Sequence, residues 1–394
     1  MFVSHLSLAD FRNYAVAEVE LRPGPNLIVG RNGQGKTNLV EALGYLSTLG
    51  SHRVSSDQAM IRAGQDAAII RARLEHAQRS ILAEVQLNRA SANRAQINRS
   101  AIKPRELPRY FSSVLFAPED LSLVRGDPSG RRRFLDQLLV LRSPRLAGVL
   151  ADYDRVLKQR NTLLKSARAR GVRGDALSTL DIWDERLVAL GSEIIDERMQ
   201  LTRALRDPLS RAYHAVAGDD HGPELRPLLS IFGGAAADAE DEGFGGPGST
   251  GSVSGDGWTA GESTAEKFRD SLREVRGKEL DRAITLIGPH RDDLVFMLNA
   301  LPTKGYASHG ESWSFALALK LAAAEILRHE SASGDPVLIL DDVFAELDQQ
   351  RRSRLAEAVT GYEQVLITAA VLEDIPPALT AHTIHIRAGE VVDG

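Results

Sequence analysis

Residues Gly30 to Thr37 read Gly-Arg-Asn-Gly-Gln-Gly-Lys-Thr, the G-x-x-x-x-G-K-T pattern of a phosphate-binding loop. Its glycines let the backbone curl so that N–H groups point inward at phosphate oxygens, and the helix that follows adds its positive dipole end. Lys36 is placed to reach the β- and γ-phosphates and Thr37 to ligate Mg²⁺. The expected nucleotide site is therefore Gly30, Arg31, Asn32, Gly33, Gln34, Gly35, Lys36, Thr37 and Asn38. The flanks suit it: Leu27-Ile28-Val29 reads as a buried strand, and Asn38 to Leu46 repeats apolar residues at helical spacing. A second run, Pro336-Val337-Leu338-Ile339-Leu340-Asp341-Asp342, reads as a buried parallel strand ending in two carboxylates. A carboxylate at such a strand end faces the ligand crevice of an open α/β sheet. Asp341 is then expected to hold Mg²⁺, directly or through water, opposite Thr37, and Asp342 to polarise the attacking water. Taken alone, the second run is equally a strand end capped by an acidic turn.

Ser308-His309-Gly310-Glu311 opens a long helical pattern ahead of the acidic strand. A serine and a glycine at a helix N-terminus make a second anion site, and Ser308 with Glu311 also spells a capping box. This stretch resembles the signature loop of the ABC ATPase superfamily. That resemblance implies that Ser308, Gly310 and Glu311 act in trans on nucleotide held by another subunit. Glu346-Leu347-Asp348 resembles the superfamily's D-loop, with Asp348 its acid. Val365-Leu366-Ile367-Thr368 resembles its last core strand, with Thr368 at the switch position where transporter ATPases carry histidine.

Six further segments narrow the resemblance. Leu6-x-Leu8-x-x-Phe11-Arg12-Asn13-Tyr14, the loop Gly30–Asn38, Phe116-x-Pro118-Glu119-Asp120-Leu121, Gly126-x-Pro128-x-x-Arg131-Arg132-x-Phe134-Leu135-Asp136, Gly288-Pro289-His290-Arg291-Asp292-Asp293 and Leu340–Asp348 occur in this order. Together they resemble the RecF family of bacterial recombination ATPases over nearly the whole chain. The resemblance implies an ATP- and Mg²⁺-dependent homodimer that binds duplex DNA and single-strand/double-strand junctions. It implies a weak, DNA-dependent ATPase used as a switch. It also implies work with RecO and RecR to load RecA in gap repair, replication restart and SOS induction. Residues 233–264 have no evident counterpart in that pattern.

Composition is that of a globular chain: 394 residues, 43% hydrophobic and 26% charged, with no cysteine, which excludes disulfides and thiol chemistry. No apolar run is long enough to span a membrane, and the first residues lack a secretory signal, so a cytoplasmic protein is expected. No Asn-Lys-x-Asp guanine-reading motif occurs. The net charge of −5 conceals segregation. Residues 121–173 hold thirteen Lys/Arg against four Asp, and 233–264 hold six acids and no Lys or Arg. Clustered cations are the footprint of phosphate-backbone contact. Arg131, Arg132 and Arg133 are the expected DNA contacts, with a solvated helical face, or an Arg132–Asp136 pair, as the plain alternative.

These readings combine into an α/β fold: a split ABC-type P-loop ATPase head with an inserted helical second domain built on a short coiled-coil hairpin. The expected boundaries are 1–125 and 284–394 for the head and 126–283 for the insert, with a disordered loop at 233–264. The hairpin is read from one helix over 131–169 and an apolar stripe from Leu180 to Leu205. Three rival functions are weighed against the recombination ATPase. An ATP-gated DNA clamp with negligible hydrolysis is suggested by Asp342 standing where many ABC sites carry glutamate. A transporter ATPase subunit would carry Leu-Ser-Gly-Gly-Gln and a switch histidine. A nuclease of the overcoming-lysogeny type would need a further metal-binding domain after Asp342.

Overall fold

The computed structural model describes residues 1–171, 178–233, 263–331, 334–387 and 389–392. The acidic segment read as disordered lies almost wholly outside them. In chain order the elements are β1 (Phe2–Phe11), β2 (Tyr14–Glu20), β3 (Gly24–Val29), α1 (Lys36–Thr48), β4 (Ala67–His76), β5 (Arg79–Asn88), β6 (Arg94–Ile97), β7 (Ser100–Ile102) and β8 (Ser113–Phe116). Then follow α2 (Leu121–Arg125), α3 (Pro128–Arg142), α4 (Leu146–Ala169), α5 (Ser178–Ala217), β9 (Glu224–Leu228), α6 (Thr264–Arg282), β10 (Asp293–Leu298), β11 (Leu301–Pro302) and α7 (Thr303–Tyr306). The chain ends with α8 (His309–Glu330), β12 (Val337–Asp341), α9 (Gln349–Val359), β13 (Gln364–Ala369), β14 (Thr383–Arg387) and β15 (Glu390–Val392).

Two compact units result: Met1–Val124, Asp207–His221 and Ala307–Gly394 form the first, Arg125–Arg206 and Gly222–Tyr306 the second. Relative to the boundaries expected from sequence, residues 284–306 join the second unit. The reason is antiparallel pairing of β10 with β9, Asp293 opposite Leu228. The last turns of α5 belong with the first unit.

The first unit holds two six-stranded sheets. One, ordered β2-β1-β4-β5-β6-β7, is antiparallel, and its alternating strands bury one face (Leu6 and Leu8 on β1, Ile70 and Ala72 on β4, Val85 and Leu87 on β5). The other is ordered β15-β14-β3-β13-β12-β8, with β14, β3, β13, β12 and β8 parallel. Strands β12 and β13 are buried at every position, which is why they read as unbroken apolar runs. Both sheets share one core with Leu39, Val40, Leu43 and Leu46 of α1, each buried side chain contributing about 1.5–3 kcal/mol.

In the second unit, α4, α5 and α6 share a core of Tyr153, Val156, Leu187, Ile194, Phe268 and Leu272. The two-helix hairpin expected from sequence is thus part of a three-helix core. Inside it Arg160, fully buried, donates to Asp184 at 2.6 Å, Glu279 at 2.6 Å and Thr285 at 2.8 Å, joining all three helices. The single helix expected over 131–169 is two, because Pro144 cannot donate to the helical ladder and the chain turns at Ser143.

Candidate functional site

Strand β3, the phosphate-loop residues and α1 follow one another as sequence spacing requires. Gly33 and Gly35 have φ of +80° and +109°, a backbone that L side chains rarely adopt. Gly35 is also crowded: a methyl group there would lie 2.7 Å from both Asn13 Nδ2 and the Tyr14 hydroxyl. Lys36 Nζ bends back across the loop, donating to the carbonyls of Gly30 at 2.6 Å and Arg31 at 3.3 Å. Burial lowers its pKa, while the carboxylates of Asp342 and Asp341 pull it up. Arg31, Asn32 and Gly33 are exposed; Gln34, Thr37 and Asn38 are half-buried.

The acidic strand meets this loop. Thr37 Oγ1 donates to Asp341 Oδ1 at 3.1 Å across 304 residues of sequence. The same oxygen accepts from Thr368 Oγ1 at 2.6 Å, because β13 lies between β3 and β12 and pairs Thr368 with Asp341. Burial raises the Asp341 pKa against the pull of Thr368, His52 and Thr37. The next residue, Asp342, sits at φ +54° with its N–H donating to Thr368 Oγ1 at 2.9 Å. Thr368, read from sequence only as a departure from histidine, therefore holds both carboxylate residues at the strand ends. A hydroxyl and a buried carboxylate facing each other fit Mg²⁺ as phosphate-loop ATPases hold it. Among the described residues no group of three or more His, Asp or Glu could hold a metal alone. Phosphate and water would complete its shell.

Some neighbours of the site were not assigned a role from sequence. Arg12 and Asn13 form the two-residue turn between β1 and β2, with Arg12 at φ +56°. The Arg12 guanidinium donates to both oxygens of fully buried Glu41 on α1, at 2.8 and 2.5 Å. Asn13 accepts from Asn38 Nδ2 at 2.7 Å, and Asn38 accepts from Arg53 at 2.9 Å. The Phe11-Arg12-Asn13-Tyr14 motif is thus the support of the phosphate loop; its only sequence signal was its place in the family pattern.

Ser308 caps α8 as the capping box required: its hydroxyl accepts from Glu311 N at 3.2 Å and Glu311 Oε2 accepts from Ser308 N at 2.7 Å. Asp348 caps α9, accepting from Arg351 N at 2.9 Å. The three adjacent arginines of α3 do not form one exposed cationic face, and the reading needs correction. Arg131 is buried, donating to both oxygens of Asp293 at 2.7 and 2.9 Å and to Gly126 O at 2.9 Å. Half-buried Arg132 donates to Asp292 O at 2.8 Å. Asp136 pairs with Arg198 rather than Arg132. Arg133 alone of the three is exposed.

A parallel sheet that sets a phosphate loop against an acidic strand, from opposite ends of the chain, in a unit that also holds the capped helix α8, defines an ABC-type ATPase head. The comparisons narrow the class. Residues 2–381 match the family described as RecF/RecN/SMC N terminal domain, and the chain belongs to the RecF family within it. It is 68% identical to the DNA replication and repair protein RecF of Clavibacter michiganensis subsp. michiganensis, over 100% of this chain and 96% of that one. It is 66% identical to that of Leifsonia xyli subsp. xyli, over 100% of both. Among solved structures it is similar to the recombination mediator protein RecF with ATP, of the RecFOR pathway, at TM-score 0.83 and 27% identity over 99% of this chain and 97% of that one. An SMC head bound to a winged-helix domain of ScpA shares the fold, at TM-score 0.53 and 15% identity. Among the described residues no helix is long and apolar enough to cross a membrane.

Proposed function

We propose that the chain is an ATP-dependent, DNA-binding recombination mediator. On this reading it dimerises on ATP, binds duplex and gapped DNA in the cytoplasm, and acts with RecO and RecR to promote RecA loading in gap repair, replication restart and SOS induction. The observation that carries it is the Thr37–Asp341–Thr368 cluster beside Lys36, supported by 27% identity to a solved recombination mediator that holds ATP. Lys36 holds the phosphates, and Thr37 and Asp341 hold Mg²⁺, whose chemistry is to neutralise charge developing on the phosphoryl oxygens. Asp342 orients the attacking water. A head of this kind lacks one wall of its catalytic site, and Ser308 and Gly310 of a second copy supply it. Hydrolysis is slow and opens the dimer, making ATP a reversible clamp. The DNA contacts are phosphate contacts from exposed cations of the second unit: Arg133, and Lys165, Arg168 and Arg170 at the C-terminal end of α4.

DNA binding by the wild type and Lys36→Met, with ATP or a non-hydrolysable analogue, on single-stranded, duplex and gapped DNA tests the reading as a whole. ATP-independent binding of equal strength in both would refute it. Asp342→Asn should bind ATP normally and hydrolyse it at least about a hundredfold more slowly, the usual scale for a lost general base. The dimer should then persist in sedimentation with Mg-ATP. Wild-type turnover in Asp342→Asn would give the water to another residue. Were hydrolysis undetectable in the wild type as well, the ATP-gated clamp would be the better description.

Ser308→Arg should leave monomer affinity for ATP intact and abolish ATP-dependent dimers through bulk and charge. Ser308→Ala is the control. It loses the cap, about 1 kcal/mol, without adding bulk. Dimers of wild-type strength in Ser308→Arg would make Ser308 a helix cap only.

A further inference from the structure

Gly310 follows the N-cap of α8 by two residues, and the side chain that lies against it is a cation. The guanidinium of Arg351, on the first turn of α9, lies against it. A methyl group at Gly310 would be 2.6 Å from one terminal nitrogen, 3.2 Å from the other and 3.4 Å from the central carbon. Alanine could enter only by displacing the arginine.

Arg351 is held there loosely by its own chain. Its backbone N–H is spent on Asp348, but the guanidinium makes only a 3.6 Å contact with Asp348 Oδ2, and its side chain is 28% exposed. It donates no hydrogen bond to any described residue. Its two terminal nitrogens, the atoms nearest Gly310, therefore carry N–H donors with no hydrogen-bond acceptor among the described residues. The charge around the loop also calls for a cation. Glu311 stands next to Gly310, and a docking phosphate would meet its carboxylate. His221 lies 3.8 Å from Glu311 and is itself bonded to the Tyr213 hydroxyl at 2.9 Å. Arg351 is the fixed positive charge in this group.

We propose that Arg351 binds the γ-phosphate of the nucleotide held by a second copy of this chain, delivered beside Ser308 and Gly310. The inference rests on the signature loop acting in trans. It joins the D-loop helix to the signature loop through one side chain, so closure of the dimer moves both together. It also explains how an acidic residue is tolerated at Glu311. The guanidinium offers a two-toothed fork to phosphate oxygens where an ammonium would offer one point of charge.

The test uses the full-length protein with Mg-ATP and with a non-hydrolysable analogue. Arg351→Ala should bind ATP as a monomer with wild-type affinity and unfold at the wild-type temperature. Its dimer should dissociate at least about tenfold more readily and its hydrolysis should fall at least about tenfold, the scale of one charge-assisted contact. Arg351→Lys should recover part of both. Gly310→Ala, which evicts the guanidinium, should reproduce the alanine variant. Mixing Arg351→Ala with Lys36→Ala should restore hydrolysis, because one composite site then has Lys36 from one subunit and Arg351 from the other. Wild-type dimers and turnover in Arg351→Ala, with Ser308→Arg still monomeric, would overturn this inference alone. So would a mixture that fails to complement, or a loss of ATP affinity in the Arg351→Ala monomer. A wild type that never dimerises on ATP would overturn the trans reading and this inference with it.

Discussion

Lys36→Ala should lose ATP binding by about two to three orders of magnitude, and with it every ATP-dependent dimer and DNA complex. Lys36 Nζ now donates to the carbonyls of Gly30 and Arg31, so the ammonium already sits over the loop that would cradle the phosphates. It is the one buried side-chain cation of the loop. A hydrogen bond to a charged group contributes about 1.5–3 kcal/mol, and a lysine between two phosphates makes more than one. The structural cost is smaller. Two carbonyls lose a donor, and water entering the space left by the side chain can replace it. Lys36→Met retains most of the buried stem and separates lost charge from lost packing. Isothermal titration with ATP on variants that unfold near the wild-type temperature is the measurement. Unchanged affinity in either folded variant would end the phosphate-loop assignment.

The parts of this site that were legible in the sequence are those where chemistry and backbone are contiguous. The phosphate loop carries its glycines, lysine and threonine within eight residues, and β12 carries its carboxylates directly after a run buried on both faces. Capping is equally local, so the Ser308–Glu311 box marked the start of α8, whereas Asp348, read only as a D-loop acid, proves to cap α9. Strand order was not local. That β13 lies between β3 and β12 follows from register, and only the register shows why Thr368 touches Asp341 and the N–H of Asp342. The role of Arg12 was hidden for a similar reason: its partner Glu41 is an acid inside an otherwise apolar helical stripe, with nothing in the spacing to tie the two together. The break at Ser143 was signalled by Pro144 and overridden by the apolar repeat on either side of it. The third core helix, α6, was missed because its buried residues, Phe268 and Leu272, are few among many charges.

The DNA contact expected from sequence shows most clearly what charge counting leaves out. Three arginines at the start of α3 stand where a helix dipole disfavours cations, and their clustering suggested a use in binding phosphate. The use is internal for two of them. The Gly288–Asp293 motif, singled out in sequence without a role, supplies their acceptors: both oxygens of Asp293 for Arg131 and the carbonyl of Asp292 for Arg132, about 160 residues downstream. Arg131→Ala is therefore expected to destabilise the protein by about 3–5 kcal/mol, the cost of leaving one member of a buried ion pair alone. The loss falls on the second unit, where Asp293 opens β10 opposite Leu228 of β9. Any loss of DNA binding in that variant should follow its melting temperature and disappear when binding is measured well below it. Arg133→Ala should change stability by no more than about 0.5 kcal/mol, as expected of an exposed side chain. If Arg133 touches a phosphate, the slope of log affinity against log salt should fall by roughly 0.9 for duplex DNA, equally for all sequences. The two variants thus separate the two meanings of one basic run. A folded, wild-type-stable Arg131→Ala with a reduced salt slope would restore the three-cation clamp and contradict the pairing with Asp293. An unchanged slope in Arg133→Ala would leave Lys165, Arg168 and Arg170 as the next side chains to replace.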